Sequence, residues 1–170
     1  MISSSNIMPH EGQEAVLLQC SINGRRFIQL IAPDLSLYEL LRECGYSSVK
    51  CGCESSNCGL CTVWLDGNPV LSCSVLAAQV EGKEITTLEA LQEEASIFGH
   101  YLADEGGEQC GFCIPGMVMN VLALSRRAQK ESFIPSDEQI KEQLLGNLCR
   151  CSGYQVHQRA IRRYLDAQAQ

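Results

Sequence analysis

Cysteine spacing is the most informative chemical feature of this sequence, which has eleven cysteines in 170 residues. The first group places three cysteines in one short segment and a fourth after a further eleven residues, as Cys53-x4-Cys58-x2-Cys61-x11-Cys73. This is the spacing of plant-type [2Fe–2S] sites. Two irons bridged by two sulfides need four thiolates directed inward from a closely wrapped loop. Gly52 and Gly59 stand beside cysteines of the group, where small residues allow such wrapping.

A zinc site, or a set of unliganded buried thiols, is the alternative for this first group. Structural zinc sites usually combine two short Cys-x2–4-Cys units, whereas here three cysteines cluster and the fourth stands alone. We therefore interpret the four as ligands of one iron–sulfur cluster. Cys51 lies two residues before Cys53, outside the spacing, and is interpreted as a non-ligand. Cys20 and Cys44 are interpreted as small buried hydrophobic residues.

A second group consists of Cys110-x2-Cys113 and, 35 residues later, Cys149-x-Cys151. Alone, a Cys-x2-Cys pair is also compatible with zinc or with a redox dithiol. Each pair precedes a predicted helix, one beginning at Pro115 and the other at Gln155. Helix N-termini present free N–H groups and positive partial charge, which favour an anionic ligand. If all four cysteines bind one metal unit, two helix-bearing segments must converge on it.

Strands and one helix are predicted to position the first group, and helices the second. Asn23-Gly24 between two apolar runs is a strong hairpin signal, and Ser36 with Glu39 forms a capping box. The predicted strands are 15–22, 26–31, 62–65 and 70–73. The predicted helices are 37–44, 88–94, 97–102, 115–128, 137–145 and 155–167. A change from strands to helices near residues 82–87 divides the sequence into two expected domains, 15–86 and 87–170.

Composition excludes several function classes. The net charge is −7 and the pI is about 4.9, which argues against a nucleic-acid-binding protein with a basic face. The sequence has no uninterrupted apolar run of the length that spans a membrane, and its first ten residues have no secretory-signal pattern. We therefore expect a cytoplasmic protein whose thiols are reduced, so that the cysteines serve metal binding or redox chemistry rather than disulfides.

Three segments carry a resemblance to a known family. Residues 49–63 (VKCGCESSNCGLCTV), 109–117 (QCGFCIPGM) and 146–154 (GNLCRCSGY) resemble the cluster-binding segments of the molybdenum hydroxylases, the relatives of xanthine dehydrogenase and aldehyde oxidoreductase. The resemblance covers about residues 15 to 165. One departure is the run Ser56-Asn-Cys-Gly-Leu-Cys61, where the family commonly has Gly-Glu-Cys-Gly-Ala-Cys. The ligand positions themselves are unchanged.

The resemblance implies a fold and a role. The implied fold is α+β, with an N-terminal β-grasp plant-type ferredoxin domain (15–86) followed by a C-terminal four-helix [2Fe–2S] domain (87–170). The implied role is that of an electron-transfer subunit in an oxidoreductase complex, with no catalytic residue of its own. Electrons would pass from a large molybdopterin-binding partner, through two [2Fe–2S] clusters, to FAD on a medium partner. A zinc-binding interaction module and a stand-alone two-cluster ferredoxin are the alternatives.

The resemblance also implies the ligand sets. The first cluster would be held by Cys53, Cys58, Cys61 and Cys73, and the second by Cys110, Cys113, Cys149 and Cys151. Gln109 and Cys151 match family positions that approach the molybdopterin. The substrate, whose pocket would belong to the large partner, is not encoded in this sequence.

Overall fold

A five-stranded mixed sheet occupies the first half of the chain in a computed structural model that describes residues 7–9, 12 and 14–169. The strands are β1 (Val16–Ile22), β2 (Arg25–Ile31), β3 (Thr62–Leu65), β4 (Asn68–Leu71) and β5 (Glu84–Thr86). Their order is β2-β1-β5-β3-β4, and β1 with β5 is the parallel pair. The segment predicted to lack a secretory signal lies mostly outside the described residues.

The hairpin predicted at Asn23-Gly24 is present, the predicted strands 62–65 and 70–73 form a second one, and both are closed by two-residue turns. Asn23 and Gly24 have φ of 53° and 73°, and Asp66 and Gly67 have φ of 50° and 79°. Positive φ at both turn positions gives a twist that matches the flanking strands, which is why Asn-Gly and Asp-Gly are favoured there. The second hairpin differs from the prediction at its end. Its last strand stops at residue 71, and a short 3-10 helix carries Cys73.

Helix α1 (Leu37–Glu43) packs on this sheet and introduces the first cysteine segment. Ser36 accepts the backbone N–H of Glu39, and the Glu39 carboxylate accepts the backbone N–H of Ser36, as the capping box predicts. The apolar face of the helix is fully buried, through Leu37, Leu40 and Leu41. Burial of each such side chain contributes about 2 kcal/mol. The helix therefore anchors the start of the long loop, residues 44–61, that bears Cys53, Cys58 and Cys61.

Helices form the second half of the described chain. They are α2 (Gln92–Asp104), α3 (Ile114–Glu131), α4 (Asp137–Leu144) and α5 (Gln155–Gln168). The prediction of separate helices at 88–94 and 97–102 was wrong. A 3-10 turn, Leu88–Ala90, precedes a single helix, because no residue between the two predicted segments breaks the backbone pattern. Among the described helices, none has the length and apolar content needed to cross a lipid bilayer.

Trp64 on β3 joins the two halves of the molecule. Its ring is buried in the apolar core of the helices, not in that of the sheet. Its Nε1–H donates to the carbonyl of Met119 on α3 at 2.9 Å. The guanidinium of Arg126 lies 4.5 Å from the ring centroid and also pairs with Glu94 of α2. The sheet and the helices therefore share one packed interface.

Trp64→Ala is expected to destabilise the chain by about 3–5 kcal/mol, the usual cost of truncating a buried tryptophan. Trp64→Phe keeps most of the apolar volume and should cost clearly less. Glu94→Gln is the control, since it removes only an exposed ion pair worth less than about 1 kcal/mol. Thermal melting of the full chain measures all three. Equal losses for Trp64→Ala and Glu94→Gln would contradict a shared core.

Candidate metal centres

The four cysteines of the first group lie close together as two pairs. The Sγ atoms of Cys61 and Cys73 are 3.3 Å apart, which joins the end of the loop to the 3-10 helix after β4. The thiols of Cys53 and Cys58 lie close enough in the loop for each to shift the pKa of the other. The structure therefore brings together all four residues that the spacing selected, and it groups them two by two.

Backbone N–H groups point at the exposed end of this site. The N–H of Ser55 and that of Asn57 hydrogen-bond to Cys53 Sγ, the latter at 3.3 Å, and they lower the pKa of Cys53 to about 6. Positive φ at Ser56 (58°) and Gly59 (70°) turns the backbone so that its amides face inward. A loop of this kind stabilises thiolates, which are the form that binds metal.

Two of the other sulfurs of the group, those of Cys58 and Cys61, lie deeper. Burial raises the pKa of Cys61 to about 11, against hydrogen bonds from the backbone of Cys73 and the side chain of Ser72. Burial also raises the pKa of Cys58, against the N–H groups of Leu60 and Gly52. Without a metal, these two thiols keep their protons at neutral pH. When iron offsets their charge, thiolates are stable in the same buried position, because backbone N–H groups point at the sulfurs.

The second group also forms two pairs, each composed of one cysteine before α3 and one before α5. The Sγ atoms of Cys110 and Cys151 are 3.4 Å apart. The Sγ atoms of Cys113 and Cys149 lie within 4.8 Å of each other. Cys113 is the residue that immediately precedes α3, so its pair lies at a helix N-terminus, as the sequence predicted. The two helix-bearing segments therefore converge.

Hydrogen bonds and burial shift the pKa values of these thiols in opposite directions. The N–H of Phe112, followed by the thiol of Cys151, lowers the pKa of Cys110. Burial raises the pKa of Cys113 to about 12. Burial also acts to raise the pKa of Cys149, but hydrogen bonds from the hydroxyl and N–H of Ser152, together with those from the Cys151 N–H and the Cys113 thiol, lower it overall. Each pair thus combines one thiol whose pKa is lowered, Cys110 or Cys149, with one whose pKa is raised, Cys151 or Cys113.

Three residues around Cys149 were not singled out from the sequence as part of the site. Tyr154 Oη accepts the N–H of Cys149 at 2.9 Å, and Tyr154 has a φ of 69° where α5 begins. Ser152 Oγ lies 3.2 Å from Cys149 Sγ. Nitrogen of the buried His157 ring lies within 4.8 Å of both Cys113 Sγ and Cys149 Sγ. Sequence spacing gave no signal for His157, because α5 brings it back onto the preceding loop.

The pairwise arrangement tests which metal unit the cysteines fit. A single tetrahedral metal with thiolate bonds of about 2.3 Å requires four sulfurs roughly 3.8 Å from one another. Among the described residues, no three cysteine sulfurs lie mutually within 4.8 Å; the one such triplet of ligand atoms is Cys113, Cys149 and His157. Two separated pairs of thiols fit a unit with two metals, each taking two sulfurs. A [2Fe–2S] cluster is such a unit.

The two candidate centres touch through backbone. The carbonyl of Cys58 accepts the N–H of Leu148 at 2.8 Å, one residue before Cys149. Gly59 makes this approach possible, since a Cβ there would lie 1.7 Å from the carbonyl oxygen of Gly146. Nearby, the side-chain amide of Asn147 is buried and has no hydrogen-bond partner among the residues that the structure describes. The loops of the two groups are thus in direct contact.

One pair of the second group, Cys110 with Cys151, lies at the surface, and the residues matched to the pterin-facing positions are part of that surface. Gln109, Cys110 and Cys151 are exposed. Phe112 and Leu148 beside them are apolar and about half exposed, at 45% and 56%. Cys51, interpreted as a non-ligand, is also exposed, and its thiol donates to the carbonyl of Cys53 at 2.7 Å.

Comparison with known proteins places this geometry in a family. Residues 87–162 match the model of a [2Fe–2S] binding domain. The chain is 43% identical, over 84% of its own length and 90% of the relative's, to the xanthine dehydrogenase iron-sulfur-binding subunit of Escherichia coli O157:H7. It is 37% identical, over 86% and 93%, to the nicotinate dehydrogenase small FeS subunit of Eubacterium barkeri.

A solved structure agrees with these sequence relatives. The fold matches a chain of quinoline 2-oxidoreductase from Pseudomonas putida 86 with a TM-score of 0.80 and 34% identity, covering 91% of this chain and 95% of that one. The mixed α+β architecture is therefore that of known iron–sulfur subunits. This chain belongs to the small iron–sulfur subunits of the molybdenum hydroxylase family.

Proposed function

We propose that this chain is the electron-transfer subunit of a molybdenum hydroxylase, and that it binds one [2Fe–2S] cluster in each of its two domains. The single observation that carries the assignment is the division of each cysteine group into two close thiol pairs. When bound, the clusters supply one-electron transfer. The chain's own residues supply thiolate ligands, inward N–H groups and a fixed separation of the two sites.

The ligand sets follow from the pairs. The residues proposed to hold the first cluster are Cys53, Cys58, Cys61 and Cys73. Those proposed to hold the second are Cys110, Cys113, Cys149 and Cys151. We assign the first set to a β-grasp ferredoxin-like domain (15–86) and the second to a four-helix domain (87–170). Strand β5 ends at Thr86, which supports this boundary, although Trp64 connects the two cores.

The partners are proposed from the family. A large subunit would bind molybdopterin and the substrate, and a medium subunit would bind FAD. Cys151 of the second group and the exposed residues beside it, Gln109, Phe112 and Leu148, form the face proposed to meet the molybdopterin-binding subunit. A cytoplasmic location remains a prediction, based on eleven cysteines that are all free thiols.

Iron and sulfide analysis of the full chain purified without oxygen tests this proposal. Two clusters predict about four iron and four acid-labile sulfide atoms per chain, with visible absorption that bleaches when dithionite is added. A colourless chain with stoichiometric zinc would support the zinc-binding alternative and overturn the proposal. If the coloured chain never co-purifies with larger molybdenum- and flavin-containing subunits from its native source, a stand-alone two-cluster ferredoxin is the better assignment.

A further inference from the structure

The Ser152 hydroxyl has one hydrogen and two acceptors within reach. Its Oγ lies 3.2 Å from Cys149 Sγ and 3.2 Å from Nδ1 of His157. The same oxygen already accepts the N–H of Tyr154 at 3.2 Å. A hydroxyl donates one hydrogen bond only, so the sulfur and the imidazole compete for it.

His157 is held so that its Nδ1 remains an acceptor. The side chain is 1% exposed, and its Nε2 lies 3.1 Å from the carbonyl oxygen of Gly107. A carbonyl only accepts, so Nε2 is the nitrogen that carries hydrogen. Burial of the ring disfavours the charged imidazolium, which leaves the neutral form with its single N–H on Nε2. The lone pair of Nδ1 therefore faces the Ser152 hydroxyl.

We propose that Ser152 and His157 together set the reduction potential of the second cluster, by dividing one hydroxyl hydrogen between Cys149 Sγ and the imidazole. The inference rests on the proposed function, since it takes Cys149 as a cluster ligand. A hydrogen bond to a ligand sulfur stabilises the reduced, more negative form of a cluster and so raises its potential. When the Ser152 hydroxyl donates to His157 instead of Cys149 Sγ, the reduced cluster loses that stabilisation.

His157 acts in this scheme as a positioning residue, because it reaches the cluster only through Ser152. The backbone N–H of Ser152 also points at Cys149 Sγ, at 3.5 Å, and no side-chain substitution removes it. The scheme therefore concerns the hydrogen bond from the Ser152 hydroxyl, which substitution can remove, in addition to the one from the Ser152 N–H, which it cannot. A purely structural role for His157 would alter cluster loading or melting temperature without shifting the potential in a direction set by Ser152.

Redox titration of the full, cluster-loaded chain, followed by electron paramagnetic resonance at one pH, tests the proposal. His157→Gln keeps an amide donor for the Gly107 carbonyl but removes the ring acceptor. It should increase the ratio of reduced to oxidised second cluster at a fixed potential by about fivefold, the effect typical of one hydrogen bond. Ser152→Ala should decrease that ratio by a similar factor, and Ser152→Thr, which keeps a hydroxyl, should restore it.

The double variant decides between mechanisms. If His157 acts through the hydroxyl, His157→Gln combined with Ser152→Ala has the potential of Ser152→Ala alone. The first cluster is the internal reference and should not move. Should Ser152→Ala and Ser152→Thr titrate like the wild type, or should His157→Gln shift the potential equally without the hydroxyl, the inference is overturned. Absence of any second-cluster signal from the wild-type chain would instead overturn the proposed function.

Discussion

Cys113→Ala is expected to reduce bound iron from about four to about two atoms per chain and to abolish one of the two cluster signals. Cys61→Ala should cause the same loss of iron but abolish the other signal. Each residue is buried and paired with one further cysteine. Its removal therefore leaves one iron with one ligand too few, and no nearby thiol takes the empty position. Iron and sulfide analysis with electron paramagnetic resonance of the reduced chain measures both effects.

Cys51→Ser is the matched control for these substitutions. The Cys51 thiol is two residues from Cys53 but donates to a backbone carbonyl, a contact that a serine hydroxyl reproduces. Iron content and both signals should be unchanged. The ligand assignment fails if Cys51→Ser loses iron, or if Cys61→Ala and Cys113→Ala leave the same residual signal.

Local sequence patterns predicted the features that form within short segments of the chain: a hairpin turn, a helix start and the first cysteine loop. Asn23-Gly24 closes the first hairpin because its two residues adopt the positive φ that the turn requires. Ser36 forms the capping box that the pattern indicated, and Ser136 forms a second one of the same kind at the start of α4. The first cysteine loop is also local, since three of its four thiols fall within nine residues. These features depend on contacts between near neighbours in the chain.

Features that depend on distant contacts were not predictable in the same way. Strand β5 has three residues, too few to show an alternating pattern, and forms because Ser21 and Leu65 flank it in the sheet. The pairing of Cys110 with Cys151 joins residues 41 positions apart, and sequence spacing does not say which thiols pair. His157 meets its site only because α5 packs over the loop that precedes it. Tertiary packing decided each of these outcomes.

Gly59→Ala is expected to lower the melting temperature by more than about 10 °C, because it combines unfavourable φ with a backbone clash. A Cβ at this position would lie 1.7 Å from the carbonyl oxygen of Gly146, and neither backbone can yield without separating the two cysteine loops. Separation would break the hydrogen bond from Leu148 N–H to the carbonyl of Cys58. We therefore also expect loss of iron from both groups. Thermal melting and iron analysis of the full chain measure the two effects.

Gly67→Ala separates the two causes of this loss. Gly67 has a φ of 79°, close to the 70° of Gly59, but apart from its chain neighbours no described residue would have an atom within 4 Å of a Cβ there. Gly67→Ala should therefore destabilise the chain only by the left-handed backbone penalty of roughly 1–2 kcal/mol, which lowers the melting temperature by a few degrees. The iron content should be unchanged. The difference between the two alanine variants then measures the close approach of the loops. If both melt at the same temperature and retain about four irons, the backbone contact between the two centres does not exist as described.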